Sequence, residues 1–141
     1  MQSTSNKSIT SNDLYDYADQ VGIEVDSFPL PLNKSVSVMD EDGNCYIGLD
    51  VSFDTSAEEL VHIAHELGHC ERGAFYNMYS AYDVRAKYER QADEWAIKKL
   101  VPWGKLKKAL RSGITEPWQV AEEFNITDKF AVKVMEFYLK G

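Results

Sequence analysis

The chain has 141 residues, 44% of them hydrophobic and 12% aromatic, and a formal net charge of −8. That length supports one domain with a real core and is too short for two ordinary ones. The acidic balance argues against nucleic acid as the main partner, because phosphate contacts require a basic face, and against an anionic membrane surface. No apolar run has membrane-spanning length, and residues 1–12 are mostly polar with Lys7 as their only basic residue, unlike a secretory leader. Two cysteines, Cys45 and Cys70, make no disulfide framework, so a reduced, cytoplasmic setting is expected, with Cys70 a packed thiol.

Residues 1–9 are rich in Ser, Asn and Thr and are expected to be disordered, leaving 10–141 as a single domain. Thr10 or Ser11 is placed to cap a helix running to about Val21. Residues 23–25 read as a short extended piece before Pro29 and Pro31. Ser35, Ser37 and Met39 alternate with Val36, Val38 and Asp40, and the turn signal Glu41-Asp42-Gly43-Asn44 leads into an apolar run over 45–51. This pattern predicts an antiparallel β-hairpin. Such a hairpin either offers an edge to an extended peptide or covers one side of the helices.

Asp54-Thr55-Ser56 precedes the next helix, with Ser56 and Glu59, or Thr55 and Glu58, as its capping box. Leu60, Ile63, Ala64 and Leu67 give it an apolar face. On this helix residues 65–69 spell His-Glu-Leu-Gly-His. His65 and His69 are four residues apart, so both imidazoles leave the same face one turn apart and suit one tetrahedral Zn²⁺. Glu66 projects beside the pair, placed to hold a water against the ion and take its proton as general base. Gly68 costs a helix about 1 kcal/mol against Ala, so it is expected to admit a close neighbour beside the site. His62 lies two turns before His69, too far along a straight helix to share its metal, and is read first as a surface or packed histidine and second as a residue of the cleft.

The segment 74–82 is rich in tyrosine. Hydrolysis needs a donor to the oxyanion, and Tyr79 or Tyr82 is the candidate, weighed against a simple packing role. Residues 83–100 are good helix formers stopped by Pro102. Within them Glu89 and Asp93 share a face. Glu89 is expected as the third metal ligand, and Asp93 as the carboxylate that receives the free ring N–H of His65 or His69. Without the upstream histidines both acids would read as a solvated helix face. Lys98, Lys99, Lys105, Lys107, Lys108 and Arg111 form a basic cluster, either a solvated face or a docking patch for an acidic partner. A helix over 103–111 and another beginning at 115–117 follow. Asn125-Ile126-Thr127 then makes a tight turn, with Thr127 capping the last helix. This final pair has helix-turn-helix character. Its second helix offers Lys129, Lys133 and Lys140 but no Arg, Asn or Gln to read base edges, so a packing role is expected.

The run at 65–69, with Glu89-x-x-Ala92-Asp93-x-Trp95-Ala96 and then Leu100-Val101-Pro102, resembles the ImmA/IrrE-type metallopeptidases, which pair an HExxH helix with a downstream ExxA(D/N)xFA helix. Trp95 stands where that family usually has Phe. Glu89 also lies at a separation from His69 similar to that of the ligand glutamate in thermolysin-like zinc peptidases. The fold expected is α+β: a mainly helical single domain with a small antiparallel sheet beside the HExxH helix and a C-terminal helix-turn-helix-like pair. The resemblance implies a small cytoplasmic zinc protease of bacteria or their mobile elements that acts on a protein, commonly a transcriptional repressor. Two other readings are a regulatory binding module that keeps the peptidase fold without catalysis, and a DNA-binding regulator, which the charge opposes.

Overall fold

Two apolar helix faces, at 60–67 and 92–100, pack against each other and set the position of everything else. The computed structural model describes residues 8–77 and 79–140. The elements in chain order are α1 (Ser11–Val21), β1 (Glu24–Ser27), β2 (Ser35–Met39), β3 (Cys45–Leu49), α2 (Ser56–Arg72), α3 (Tyr82–Leu100), α4 (Trp103–Arg111), α5 (Pro117–Phe124) and α6 (Asp128–Leu139). This is the mainly helical α+β architecture that the patterning predicts. Of the segment 1–9 expected to be disordered, residues 1–7 lie outside the described residues; Ile9 packs against the core.

Caps settle the helix starts. Thr10 caps α1 and forms a reciprocal capping box with Asp13. Thr55, rather than Ser56, caps α2, its hydroxyl accepting from the Glu58 amide at 3.1 Å. Thr127 caps α6, accepting from the Phe130 amide.

The sheet differs from a plain hairpin. β2 and β3 pair antiparallel with Met39 opposite Cys45, as expected. The extended piece before the prolines is also a strand: β1 pairs parallel with β3, Glu24 facing Tyr46, so the order is β1-β3-β2 with β3 central. The physical reason lies in burial. Ile47 and Leu49 are inaccessible to solvent, and a strand so buried needs its ladder satisfied on both sides. β2 is left as an edge strand lying against α2.

Leu60, Ile63, Ala64 and Leu67 of α2 meet Ala96, Ile97 and Leu100 of α3 in one core with Leu14 and Ala18 of α1. Gly68 is where α3 comes closest. A Cβ there would sit 2.4 Å from the Ala92 carbonyl oxygen, so only glycine lets the two helices approach at the level of the histidines. Trp95 lies partly buried against the same core, its ring 5.8 Å from that of Tyr17.

The cysteines correct an expectation. Cys45, the first residue of β3, and Cys70, on α2, form a disulfide instead of remaining free thiols. Cys70 follows His69 directly, and the 100° step of a helix turns it from the cleft toward the sheet, where Cys45 waits. The bond closes a loop spanning 25 positions. The chain-entropy relation puts its contribution at about 3.5 kcal/mol. Melting with and without dithiothreitol is expected to show a lower Tm for the reduced protein. Equal melting temperatures would mean that the cross-link adds nothing to stability.

Candidate metal centre

His65 and His69 project from one face of α2, and Glu89 projects from α3 across the contact that Gly68 permits. His65 Nε2 lies 2.9 Å from Glu89 Oε1 and 3.2 Å from His69 Nε2, and His69 Nε2 lies 3.2 Å from Glu89 Oε2. Four-coordinate zinc with bonds near 2.05 Å separates its ligand atoms by roughly 3.3 Å. The two imidazole nitrogens have close to that separation, each faces a different oxygen of the Glu89 carboxylate, and one ligand atom from each of the three residues lies within 4.8 Å of the others.

The ring protons of both histidines point away from Glu89. His65 Nδ1 is 2.8 Å from Asp93 Oδ1, and His69 Nδ1 is 2.5 Å from the Ala74 carbonyl oxygen. A carboxylate and a carbonyl only accept, so both rings carry their proton on Nδ1 and both Nε2 atoms present lone pairs when the rings are neutral. Two lone pairs and a carboxylate then face a single point. Such a cluster needs a cation, either a metal ion or added protons. The donor set, two imidazoles and one carboxylate with room for a further ligand, suits Zn²⁺.

The titration behaviour of the chain follows from the same geometry. Burial alone would lower the His65 pKa, but hydrogen bonds to Asp93 and Glu89 outweigh it and raise the value to about 10. His69 is raised as well: burial opposes, and Glu89 and the Ala74 carbonyl prevail. Hydrogen bonds from His65 and His69 hold the Glu89 carboxyl well below the usual range. Asp93 is also held low, because His65 and Lys133 overcome the effect of its burial.

Asp93 is bonded on both sides: Oδ1 lies 2.8 Å from His65 Nδ1, and Oδ2 accepts from Lys133 of α6 at 2.9 Å. The helix-turn-helix-like pair thus contributes to the site. Thr127, Lys129, Phe130 and Lys133 form one wall of the cleft, while Ser35, Val36 and Ser37 of the edge strand lie along it. Glu66 is only 7% exposed and also lines the cleft.

Two of the expected site residues lie elsewhere. Tyr79 and Tyr82, the expected oxyanion donors, are 88% and 79% exposed and do not line the cleft. The segment after α2 turns at Ala74, where the carbonyl meets His69, and this brings Tyr76 to the centre instead. The Tyr76 hydroxyl donates to Glu89 Oε2 at 2.7 Å. That bond, with some burial, pushes its pKa up to about 12, so it remains a donor at neutral pH. His62 takes its second expected place, lining the cleft while packed against Phe53, and Ser35, not singled out at all, bonds to both His62 and Glu66.

Two imidazoles and a carboxylate converging on one point, with a buried glutamate beside them, make a centre of the metallopeptidase type. Residues 18–135 match the model of the M78 peptidase family, described as the IrrE N-terminal-like domain, and the chain belongs to that family. No curated protein matches the chain.

Proposed function

We propose that the chain is a zinc-dependent endopeptidase that hydrolyses a peptide bond in a protein, and that this protein is a helix-turn-helix transcriptional repressor of a bacterial mobile element or phage, cut in the cytoplasm. The observation that carries the peptidase reading is the convergence of His65 Nε2, His69 Nε2 and a Glu89 oxygen. The repressor and the cytoplasmic setting rest on the likeness to ImmA/IrrE-type proteins alone, since the Cys45–Cys70 disulfide removes the argument from free thiols.

In this reading His65, His69 and Glu89 hold the ion and Asp93 keeps His65 in the tautomer that offers Nε2. Zn²⁺, when bound, would supply Lewis-acid polarisation of the carbonyl and lower the pKa of water. Glu66 takes the proton of the attacking water and returns it to the leaving amide nitrogen. Tyr76 donates to the carbonyl oxygen as negative charge develops there. An extended substrate segment pairs along the free edge of β2, whose residues 35–37 lie in the cleft.

The test is co-expression with a candidate repressor, followed by intact-mass measurement. Two complementary fragments should appear with zinc-loaded protein and none after metal removal. If the repressor loses function while its mass stays intact, the chain is a binding module rather than a protease. For Tyr76→Phe, loss of one oxyanion donor is expected to lower kcat by roughly 10²-fold with zinc content unchanged. Wild-type kcat in that variant would remove Tyr76 from the mechanism.

A further inference from the structure

Ser35 is the first residue of the edge strand and is only 8% exposed. Its hydroxyl lies 2.8 Å from Glu66 Oε2 and 2.7 Å from His62 Nδ1. His62 and Glu66 are four apart on α2, so they are neighbours on one helix face, and Ser35 bridges them from the strand. A hydroxyl has one proton to give. An ionised carboxylate can only accept, so Ser35 donates to Glu66 and must accept from His62 Nδ1–H. The three side chains therefore form a directed chain running from His62 through Ser35 to Glu66.

We propose that Ser35 and His62 are positioning residues for Glu66: together they hold Oε2 of its carboxylate and so direct the other oxygen, Oε1, toward the reacting water. The proposal rests on the peptidase reading for its consequence in turnover, but the hydrogen-bonded chain itself can be measured without turnover. Three observations support it. Glu66 is buried, where an unsatisfied carboxylate oxygen is costly, and Ser35 supplies its bond. Burial lowers the His62 pKa, which keeps the ring neutral at pH 7 with one N–H to donate. Phe53 packs against His62 at 5.3 Å between ring centroids, restricting the ring's rotation.

The experiment uses the zinc-loaded full chain. Long-range ¹H–¹⁵N correlation spectra report the tautomer of His62, and ¹³C spectra report the Glu66 carboxyl. Wild type should show His62 protonated at Nδ1. Ser35→Ala should shift His62 toward the Nε2–H tautomer and move the Glu66 carboxyl resonance; Ser35→Thr, which keeps the hydroxyl, should do neither. Turnover of a mixed-sequence, internally quenched peptide pool should fall about tenfold in kcat in Ser35→Ala, with KM unchanged, as expected for one hydrogen bond to a charged group. His62→Ala should lose a similar amount, and His62→Asn, whose amide can donate from nearly the position of Nδ1, should recover much of it. The double variant Ser35→Ala/His62→Ala should be little worse than either single one, since both cut the same chain. Zinc content and Tm identify variants that fail to fold. An Nε2–H tautomer in wild type, or equal kcat in Ser35→Ala and Ser35→Thr, would overturn the proposal. If wild type cleaves nothing yet the resonances respond to Ser35 as stated, the chain of bonds stands and the peptidase reading is what fails.

Discussion

Glu66→Gln is expected to reduce turnover between about 10²- and 10⁴-fold, the range for loss of a positioned general base, while leaving zinc content and fold intact. The fall corresponds to roughly 3 to 5 kcal/mol of barrier. Glutamine keeps the size of the side chain and can still accept from Ser35, so the packing around this buried position is preserved. What it loses is the ability to take a proton. None of the three converging donors belongs to Glu66, so metal affinity should not change. The measurement is kcat on the quenched peptide pool together with zinc per chain by atomic emission. If Glu66→Gln cleaves as fast as wild type with full zinc, Glu66 is not the base and the peptidase mechanism fails. If it loses zinc, the residue is holding the site together rather than acting on water.

The parts of the site that could be read from the sequence are those whose chemistry is local to one helix. His65, Glu66 and His69 fall within a single turn, and Glu89 and Asp93 within another, so the period of the helix gives each group its face. Gly68 was legible for the same reason, as a gap that needs a neighbour, and Ala92 fills it. What could not be read depends on how distant segments meet. Ser35 reaches Glu66 across 31 positions and Lys133 reaches Asp93 across 40. In an alternating strand a serine looks like an outward residue, yet Ser35 is buried and Val38 is 53% exposed, because the helix it lies on offers polar partners. Three tyrosines within seven residues are equivalent as letters. A loop that folds back through the Ala74 carbonyl chooses Tyr76 and leaves Tyr79 and Tyr82 to solvent. The disulfide was hidden likewise, since nothing in the spacing of Cys45 and Cys70 says that β3 passes beside the face of α2 that carries Cys70.

Metal removal should destabilise the protein in a way that depends on pH, and the sign follows from the shifts at the centre. In the metal-free chain, protons take the place of the ion. The His65 pKa is raised from 6.5 to about 10, so the stability this ring contributes is fully present below about pH 6.5 and is lost as pH rises toward 10. Glu89 and Asp93 are held below their ordinary values of 4.5 and 3.8, so their contribution is present above those values and lost as pH falls through the folded ones. These are the two sides of the same contacts and count once. Metal-free protein therefore keeps this contribution between about pH 4.5 and 6.5 and sheds it above neutrality. Metal-loaded protein runs the other way, because zinc must displace those protons and binds more tightly as pH rises. At a thousandfold excess of free zinc over Kd the ion stabilises by about 4 kcal/mol, a shift in Tm on the order of 12 °C for a domain of this size. Melting curves with zinc and with a strong chelator should thus diverge more at pH 8 than at pH 6. A chelator without effect at either pH would mean that the three donors hold no ion, and a larger divergence at pH 6 would mean that the ion does not compete with protons at His65.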